Sequence, residues 1–185
     1  MKKLLLLSLC FALVACQEKT KDQILTEKIV GTFTFSDDIP GEDLDLDDDL
    51  YIFASAESST EEYLADRTYK NTGAFTITII DEDEDSIDIN YSYTVTGKWR
   101  IEDSKIIYSF AIDQVKLEYV GANTTYLFEK ELVEYFNEAY MAALLSSLKL
   151  GLTTTEAYPP LIVQLDEDKL VLEDNDGDRK VYKKI

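Results

Sequence analysis

IDINYSYTVTGKWRI, residues 87–101, alternates apolar or aromatic residues with polar ones along its whole length. Because successive side chains of a β-strand point to opposite faces, this pattern predicts one long strand with a single buried face. The residues on that face are Ile89, Tyr91, Tyr93, Val95, Gly97 and Trp99. A strand of this kind needs neighbours, and the segments on either side supply them.

The downstream neighbours predict antiparallel pairing. Glu102-Asp103-Ser104 is typical of a turn, residues 105–112 pair back on the long strand, and residues 115–120 form a further strand. Near the C-terminus, three short strands are predicted at 161–165, 169–173 and 179–184. Hairpins between sequence neighbours indicate an antiparallel sheet.

The upstream part is predicted to contain a first strand at 29–35, a short strand at 51–54 and a hairpin. The hairpin pairs 62–69 with 74–80 through Lys70-Asn71-Thr72-Gly73, since Asn and Gly suit a turn with positive φ. Two acidic segments, 36–49 and 81–85, are expected to be exposed loops.

The hydrophobic period changes at residues 122–150, where apolar residues recur at helical spacing. Asn123, Thr124 and Thr125 are candidate N-caps, and Gly151 is expected to end the helix. The sequence therefore predicts a mainly β domain with one long amphipathic helix inserted before the last strands.

The N-terminus has the layout of a secretory signal, with Lys2 and Lys3 ahead of an apolar run over 4–14. Leu13-Val14-Ala15-Cys16 resembles the lipobox of bacterial lipoproteins. The resemblance implies cleavage after residue 15 and lipidation of Cys16, which attaches the chain to a membrane. The alternative is an ordinary signal peptide followed by an incidental cysteine.

The predicted organisation is a signal peptide at 1–15, a lipidated flexible tether at 16–28 and one β domain at 29–185. The expected location is the bacterial cell envelope, as an outer-membrane lipoprotein facing the periplasm or the cell surface.

Three short motifs resemble the small lipocalin-like lipoproteins of Gram-negative bacteria. They are Gly31-Thr32-Phe33, the turn Asp66-Arg67-Thr68-Tyr69 followed by Gly97-Lys98-Trp99-Arg100-Ile101, and the closing hairpin from Leu170 to Gly177. Phe33 and Arg67 depart from the family pattern, which usually has Trp and Gly there. The resemblance implies a lipocalin-like barrel, closed or half open, and the alternative is a generic antiparallel sandwich or open sheet.

Such a barrel can enclose a small apolar ligand. The aromatic residues expected to line it are Tyr91, Tyr93, Trp99, Tyr108 and Phe110. Their alternative role is plain core packing, since antiparallel sheets are rich in aromatic residues in any case.

The amino-acid composition argues against several classes of function. The chain has no histidine, and Cys16 would be its only cysteine after signal cleavage, so triads, thiol catalysis and zinc sites lack their usual groups. A formal charge of −19 disfavours nucleic acid as a partner. Carboxylate-pair catalysis is the enzymatic chemistry that remains, and a non-enzymatic protein is expected.

Calcium is the candidate ion, at Asp174, Asp176 and Asp178. These carboxylates alternate around Gly177, but their order departs from that of an EF-hand, and a plain turn explains the same residues without an ion. No other cofactor is predicted.

The sequence thus favours an envelope lipoprotein that binds a small apolar ligand or an envelope partner. The alternative is a structural or protein-interaction lipoprotein, an inhibitor or assembly factor. It would present acidic loops at 37–49 and 81–85 to a cationic envelope protein, with Ca²⁺ as a stabilising ion.

Overall fold

The long strand predicted at 87–101 is present as Ser86–Glu102, and its burial alternates residue by residue over most of its length. Of the predicted positions, Ile89, Tyr91, Tyr93, Val95 and Trp99 are buried and Gly97 is partly exposed, and Ile87 is a further buried position at the start. The computed structural model describes residues 19–37, 44–47, 50–81, 86–124 and 130–185.

In chain order the elements are α1 (Lys21–Ile29), β1 (Gly31–Asp37), β2 (Leu44–Asp47), β3 (Leu50–Tyr63), β4 (Thr68–Asp81), β5 (Ser86–Glu102), β6 (Lys105–Phe110), a 3₁₀ turn (Ile112–Gln114), β7 (Lys116–Thr124), α2 (Lys130–Ala157), β8 (Leu161–Leu165), β9 (Lys169–Glu173) and β10 (Arg179–Lys184). Within the described residues, every strand pairing is antiparallel.

The described strands close into a barrel. Eight of them follow one another around the ring in the order β1-β10-β9-β8-β6-β5-β4-β3, and β3 then pairs with β1. β2 extends the edge of β3, and β7 pairs with the first half of β5, beyond the part that β6 covers. The prediction of a mainly β antiparallel barrel with a long helix before the last strands is confirmed.

The β3–β4 hairpin turns at residues 64–67, so the predicted turn at Lys70–Gly73 is wrong. The Asp66 carboxylate accepts a 2.9 Å hydrogen bond from the Thr68 N–H, and Arg67 adopts a φ of 70°. Gly73 lies inside β4, opposite Tyr93, where a Cβ would collide with the tyrosine ring. This glycine provides space for a ring and does not make a turn.

Lys21–Ile29 forms α1, so the predicted flexible tether at 16–28 is wrong from residue 21 onward, and residue 29 belongs to this helix and not to the first strand. Thr20 and Gln23 make a capping box, each side chain bonding the other residue's backbone N–H. Ile29 is fully buried, so the C-terminal end of the helix is fixed to the barrel. The first strand consequently begins at Gly31 and not at residue 29.

The long helix also differs from its predicted bounds. Residues 122–124 belong to β7, and α2 continues through Gly151 to Ala157. Leu145, Leu148 and Leu152 pack against the barrel core on both sides of that glycine, which explains why the helix does not stop there. Within the expected acidic loop at 36–49, Leu44–Asp47 forms β2 and β1 extends to Asp37.

Two groups of buried residues fill the barrel. The larger is built around aromatic residues, including Phe33, Tyr63 and Trp99. The smaller is mostly aliphatic and consists of Ile79, Ile87, Ile89 and Tyr91.

Candidate functional site: an interior cavity with a buried carboxylate

A cavity of about 340 Å³ lies between the barrel interior and α2. This is at the lower end of the volumes typical of small-molecule sites. The barrel contributes Tyr69, Tyr93, Tyr108, Phe110 and Tyr182 to its wall. α2 contributes Leu148, Gly151, Leu152 and Thr155, and Tyr158 follows the end of that helix. The Glu156 carboxylate of α2 accepts a hydrogen bond from the Phe110 N–H, which fixes the helix to the rim of the barrel.

Glu61 is the buried acid of this cavity. In β3 the inward positions are Ser59, Glu61 and Tyr63, and Glu61 is only 5% exposed. The Tyr63 hydroxyl donates a 2.6 Å hydrogen bond to Oε2 of Glu61. The Tyr108 hydroxyl lies 2.6 Å from the Tyr63 hydroxyl. Because the Tyr63 proton already points to Glu61, Tyr108 is the donor in this second bond. The result is a relay of two phenols that ends on a carboxylate.

Burial raises the pKa of Glu61 above its ordinary value, because the charged form loses its hydration. Hydrogen bonds from Tyr63, Tyr69 and Tyr182, and the positive charge of Lys180, act in the opposite direction but do not cancel the effect of burial.

Burial and the negative charge of Glu61 raise the pKa of each of the surrounding tyrosines. Tyr63, Tyr69, Tyr108 and Tyr182 therefore stay protonated and act as hydrogen-bond donors. The cavity floor is a carboxylate enclosed by neutral phenols.

Glu57 is a second acid at the cavity wall, and its Oε1 accepts a 2.9 Å hydrogen bond from the Tyr93 hydroxyl. The Tyr93 ring reaches this position because residue 73 beneath it is glycine. Asn71, directly opposite Glu61 in the β3–β4 pairing, carries a buried Oδ1 with no hydrogen-bond partner in the described part of the chain.

The charges around the cavity are unbalanced. Among its described lining residues, four carboxylates face one ammonium group, that of Lys180. The acids are Glu57, Glu61, Asp174 and Asp178.

The structure brings together three of the five aromatic residues predicted to line a ligand site, Tyr93, Tyr108 and Phe110. Tyr91 lies elsewhere, in the aliphatic group, where its ring stacks on Phe75 with centroids 5.4 Å apart. Trp99 is also absent from the described cavity wall.

The Trp99 indole N–H donates to the backbone carbonyls of Leu64 and Thr68 at 3.2 and 3.1 Å. The Arg67 guanidinium lies 4.7 Å from its ring centroid. The side chain borders a separate, more open depression beside α1. Trp99 therefore holds the β3–β4 turn against β5.

Glu57, Glu61 and Asn71 are not predicted as site residues. Glu57 and Glu61 fall between the predicted strands at 51–54 and 62–69, and Asn71 falls in the predicted turn at 70–73. The available signal was the alternation of Glu57, Ser59, Glu61 and Tyr63, which places four polar side chains on one face of a strand. Acids are uncommon at inward strand positions, so such a run indicates a polar interior.

The candidate calcium residues form a hydrogen-bonded turn. Oδ1 of Asp174 accepts 3.0 Å hydrogen bonds from the N–H groups of Asp176 and Asp178. Across the described residues no three acidic, histidine or cysteine side chains converge as metal ligands. The geometry is that of the alternative, a plain Asx-type turn.

Several predictions lie outside the described residues. They are the signal peptide at 1–15, the lipidation of Cys16, the N-cap candidate Thr125 and the acidic residues at 38–43, 48–49 and 82–85. Of the helices that the structure describes, none combines the length and the apolar character needed to cross a membrane.

No protein-family model and no curated protein sequence matches the chain. The geometry of the cavity is therefore the basis for a functional proposal.

Proposed function

We propose that the chain is a membrane-anchored lipoprotein of the bacterial cell envelope, in the outer membrane, whose barrel binds a small, partly apolar molecule without chemically changing it. The observation that carries the proposal is the interior cavity beneath α2. Its wall combines aromatic and aliphatic surface with many polar groups, among which Glu57 and Glu61 are held by hydrogen bonds from tyrosines. Apolar surface with placed polar groups is typical of a small-molecule site.

The anchoring half of the proposal rests on the lipobox-like Leu13-Val14-Ala15-Cys16. The full chain and a Cys16→Ser variant, expressed in a Gram-negative host, are separated into membrane and soluble fractions. The parent chain is expected in the outer membrane, and the variant is expected to lose its attachment. Equal membrane attachment of both would contradict lipidation at this residue.

The binding half can be tested by mass spectrometry of the mature protein released from its membrane under native conditions. Leu152 lies on the cavity side of α2, whereas Leu150, two positions away, is 68% exposed. We expect the parent protein and a Leu150→Trp control to carry a co-purifying small molecule. Leu152→Trp should lose it, because the indole fills the cavity.

The outcomes separate clearly once both variants have been shown to fold by circular dichroism. A parent protein with no bound molecule, and with none acquired from envelope extract, would overturn the proposal. So would a molecule that stays bound in the Leu152→Trp variant, since that molecule lies somewhere else.

A further inference from the structure

We infer that the ligand of this cavity carries a cationic nitrogen, a protonated amine or a related head group, which binds at Glu61 with its apolar body beneath α2. This inference rests on the proposed function, since it requires that the cavity takes a small molecule. It adds the charge of that molecule and the residues that recognise it.

The charge of the cavity wall favours a cation. Four carboxylates and one ammonium group line the cavity, within a chain whose formal charge is −19. Acidic residues around a low-dielectric cleft concentrate cations and repel anions. Asp174, Asp178 and Lys180 are exposed, so Glu57 and Glu61 set the charge of the inner wall, and a ligand carboxylate or phosphate would be repelled there.

The carboxylate of Glu61 is incompletely compensated. A buried carboxylate is costly unless a counter-charge and several hydrogen bonds accompany it. Tyr63 supplies one short hydrogen bond, and Tyr69, Tyr182 and the charge of Lys180 also stabilise the carboxylate, but together they do not outweigh its burial. Lys180 is an exposed residue whose ammonium lies 5.2 Å from the Phe35 ring centroid. A cation inside the cavity would add a counter-charge to the one that the exposed Lys180 supplies.

Asn71 provides an observation independent of charge. Its Oδ1 is a buried acceptor without a partner among the described residues, and Asn71 is the direct cross-strand neighbour of Glu61. Directly opposite residues on one sheet face have Cβ atoms about 5 Å apart. One ammonium group, with three N–H donors, can bond both side chains, whereas a ligand carboxylate would offer acceptors only.

The surrounding rings favour the same chemistry. Tyr108 and Phe110 stack with centroids 5.0 Å apart, and Tyr69 meets Tyr108 edge to face at the same distance. Aromatic faces attract a cation most strongly in a site from which water is excluded. The same rings give an apolar body a surface to pack on.

Three probes of similar shape test the inference with the full mature protein. They are 2-phenylethylamine, 2-phenylethanol and 3-phenylpropanoate, which carry a positive, a neutral and a negative end. Calorimetric titration should show the amine binding about tenfold or more tightly than the alcohol, with no binding of the acid. This selectivity of the unmodified protein is a complete test even if a variant fails to fold.

Glu61→Gln assigns the selectivity to its residue. It keeps the size of the side chain and removes the charge, so the amine should lose its advantage over the alcohol. Glu62→Gln is the matched control, because it makes the same change in net charge on the next residue of β3, which faces outward and pairs with Lys70 at 3.6 Å. Its binding should match that of the parent.

Each remaining result has one meaning. Equal binding of amine and alcohol would overturn the cationic inference and leave the binding cavity standing. Amine selectivity that survives Glu61→Gln would overturn the role of Glu61. Failure of all three probes, in a protein that carries no co-purified molecule, would overturn both the inference and the proposed function.

Discussion

The two halves of the barrel interior share their strands but differ in chemistry. Toward the β3–β4 turn, β4 points Tyr69 and Asn71 inward, and the interior is rich in hydroxyl groups. Toward the other end of the same strand, Ile77 and Ile79 point inward, and Tyr140, Met141 and Leu144 of α2 pack against their group. We call these the polar end and the aliphatic end.

The comparison separates the role of the alternating pattern from the role of the residues that occupy its inward positions. Both ends have the same period of two, so the alternation alone makes the strand and sets its register. Only the identity of the inward residues decides whether the interior is packed tight or lines a cavity with a carboxylate in it. Three predictions test this division.

The largest effect on stability is expected at the aliphatic end. Ile89 is 2% exposed, so Ile89→Ala removes buried methylene groups and should lower the free energy of unfolding by about 2–5 kcal/mol. Urea denaturation followed by circular dichroism measures it. Val181→Ala is the control, because Val181 is 56% exposed and should cost less than about 0.5 kcal/mol. Comparable losses in both would show that the aliphatic group does not form a tightly packed part of the core.

An intermediate effect is expected at the polar end. Tyr63→Phe keeps the ring but removes the hydroxyl that joins Tyr108 to Glu61, which leaves a buried acid without its short hydrogen bond. The expected cost is about 1–3 kcal/mol of unfolding free energy. Tyr91→Phe is the matched change at the aliphatic end. It also removes one tyrosine hydroxyl and retains the ring that stacks on Phe75, so it should cost less unfolding free energy than Tyr63→Phe. A larger loss at Tyr91 would reverse the assignment of the two ends.

The smallest effect is a dependence on pH. Burial raises the pKa of Glu61, so the folded state holds its proton more tightly than the unfolded state does. The contribution of this group to stability is complete below its ordinary pKa of about 4.3. It then declines by about 1.4 kcal/mol for each pH unit until the pH reaches the pKa of the folded state. The stability of Glu61→Gln relative to the parent should therefore rise over this range.

Urea denaturation of both proteins between pH 4 and pH 8 measures this difference, and the titration of the other carboxylates cancels in it. Glu62→Gln should show no such trend relative to the parent. A parent protein that gains stability relative to Glu61→Gln as pH rises would mean that the buried acid is well compensated, contrary to the geometry.

The sequence predicted the elements whose pattern is local. β8, β9 and β10 have their predicted bounds, and β5 differs by one residue at each end, because alternation and turn residues are enough to define them. The errors arose where a residue had a role in tertiary packing. Gly73 and Gly151 look like a turn and a helix stop, but a ring and an apolar helix face determine their places.

The candidate site was predicted in part for the same reason. Tyr93, Tyr108 and Phe110 could be placed on inward faces of predicted strands. Glu61 could not, since an acid beside a serine-rich segment is typical of a turn, and its burial depends on closure of the barrel by strands far apart in the sequence. Nothing local indicates that β1 pairs with β10.

That closure has a consequence for how the chain folds in time. Phe33 lies opposite Lys184, and the Ile185 N–H donates a 3.0 Å hydrogen bond to the Thr32 carbonyl. The ring therefore joins β1 to a strand that is synthesised much later. Until β10 has emerged, β1 has an open edge, and open strand edges invite aggregation.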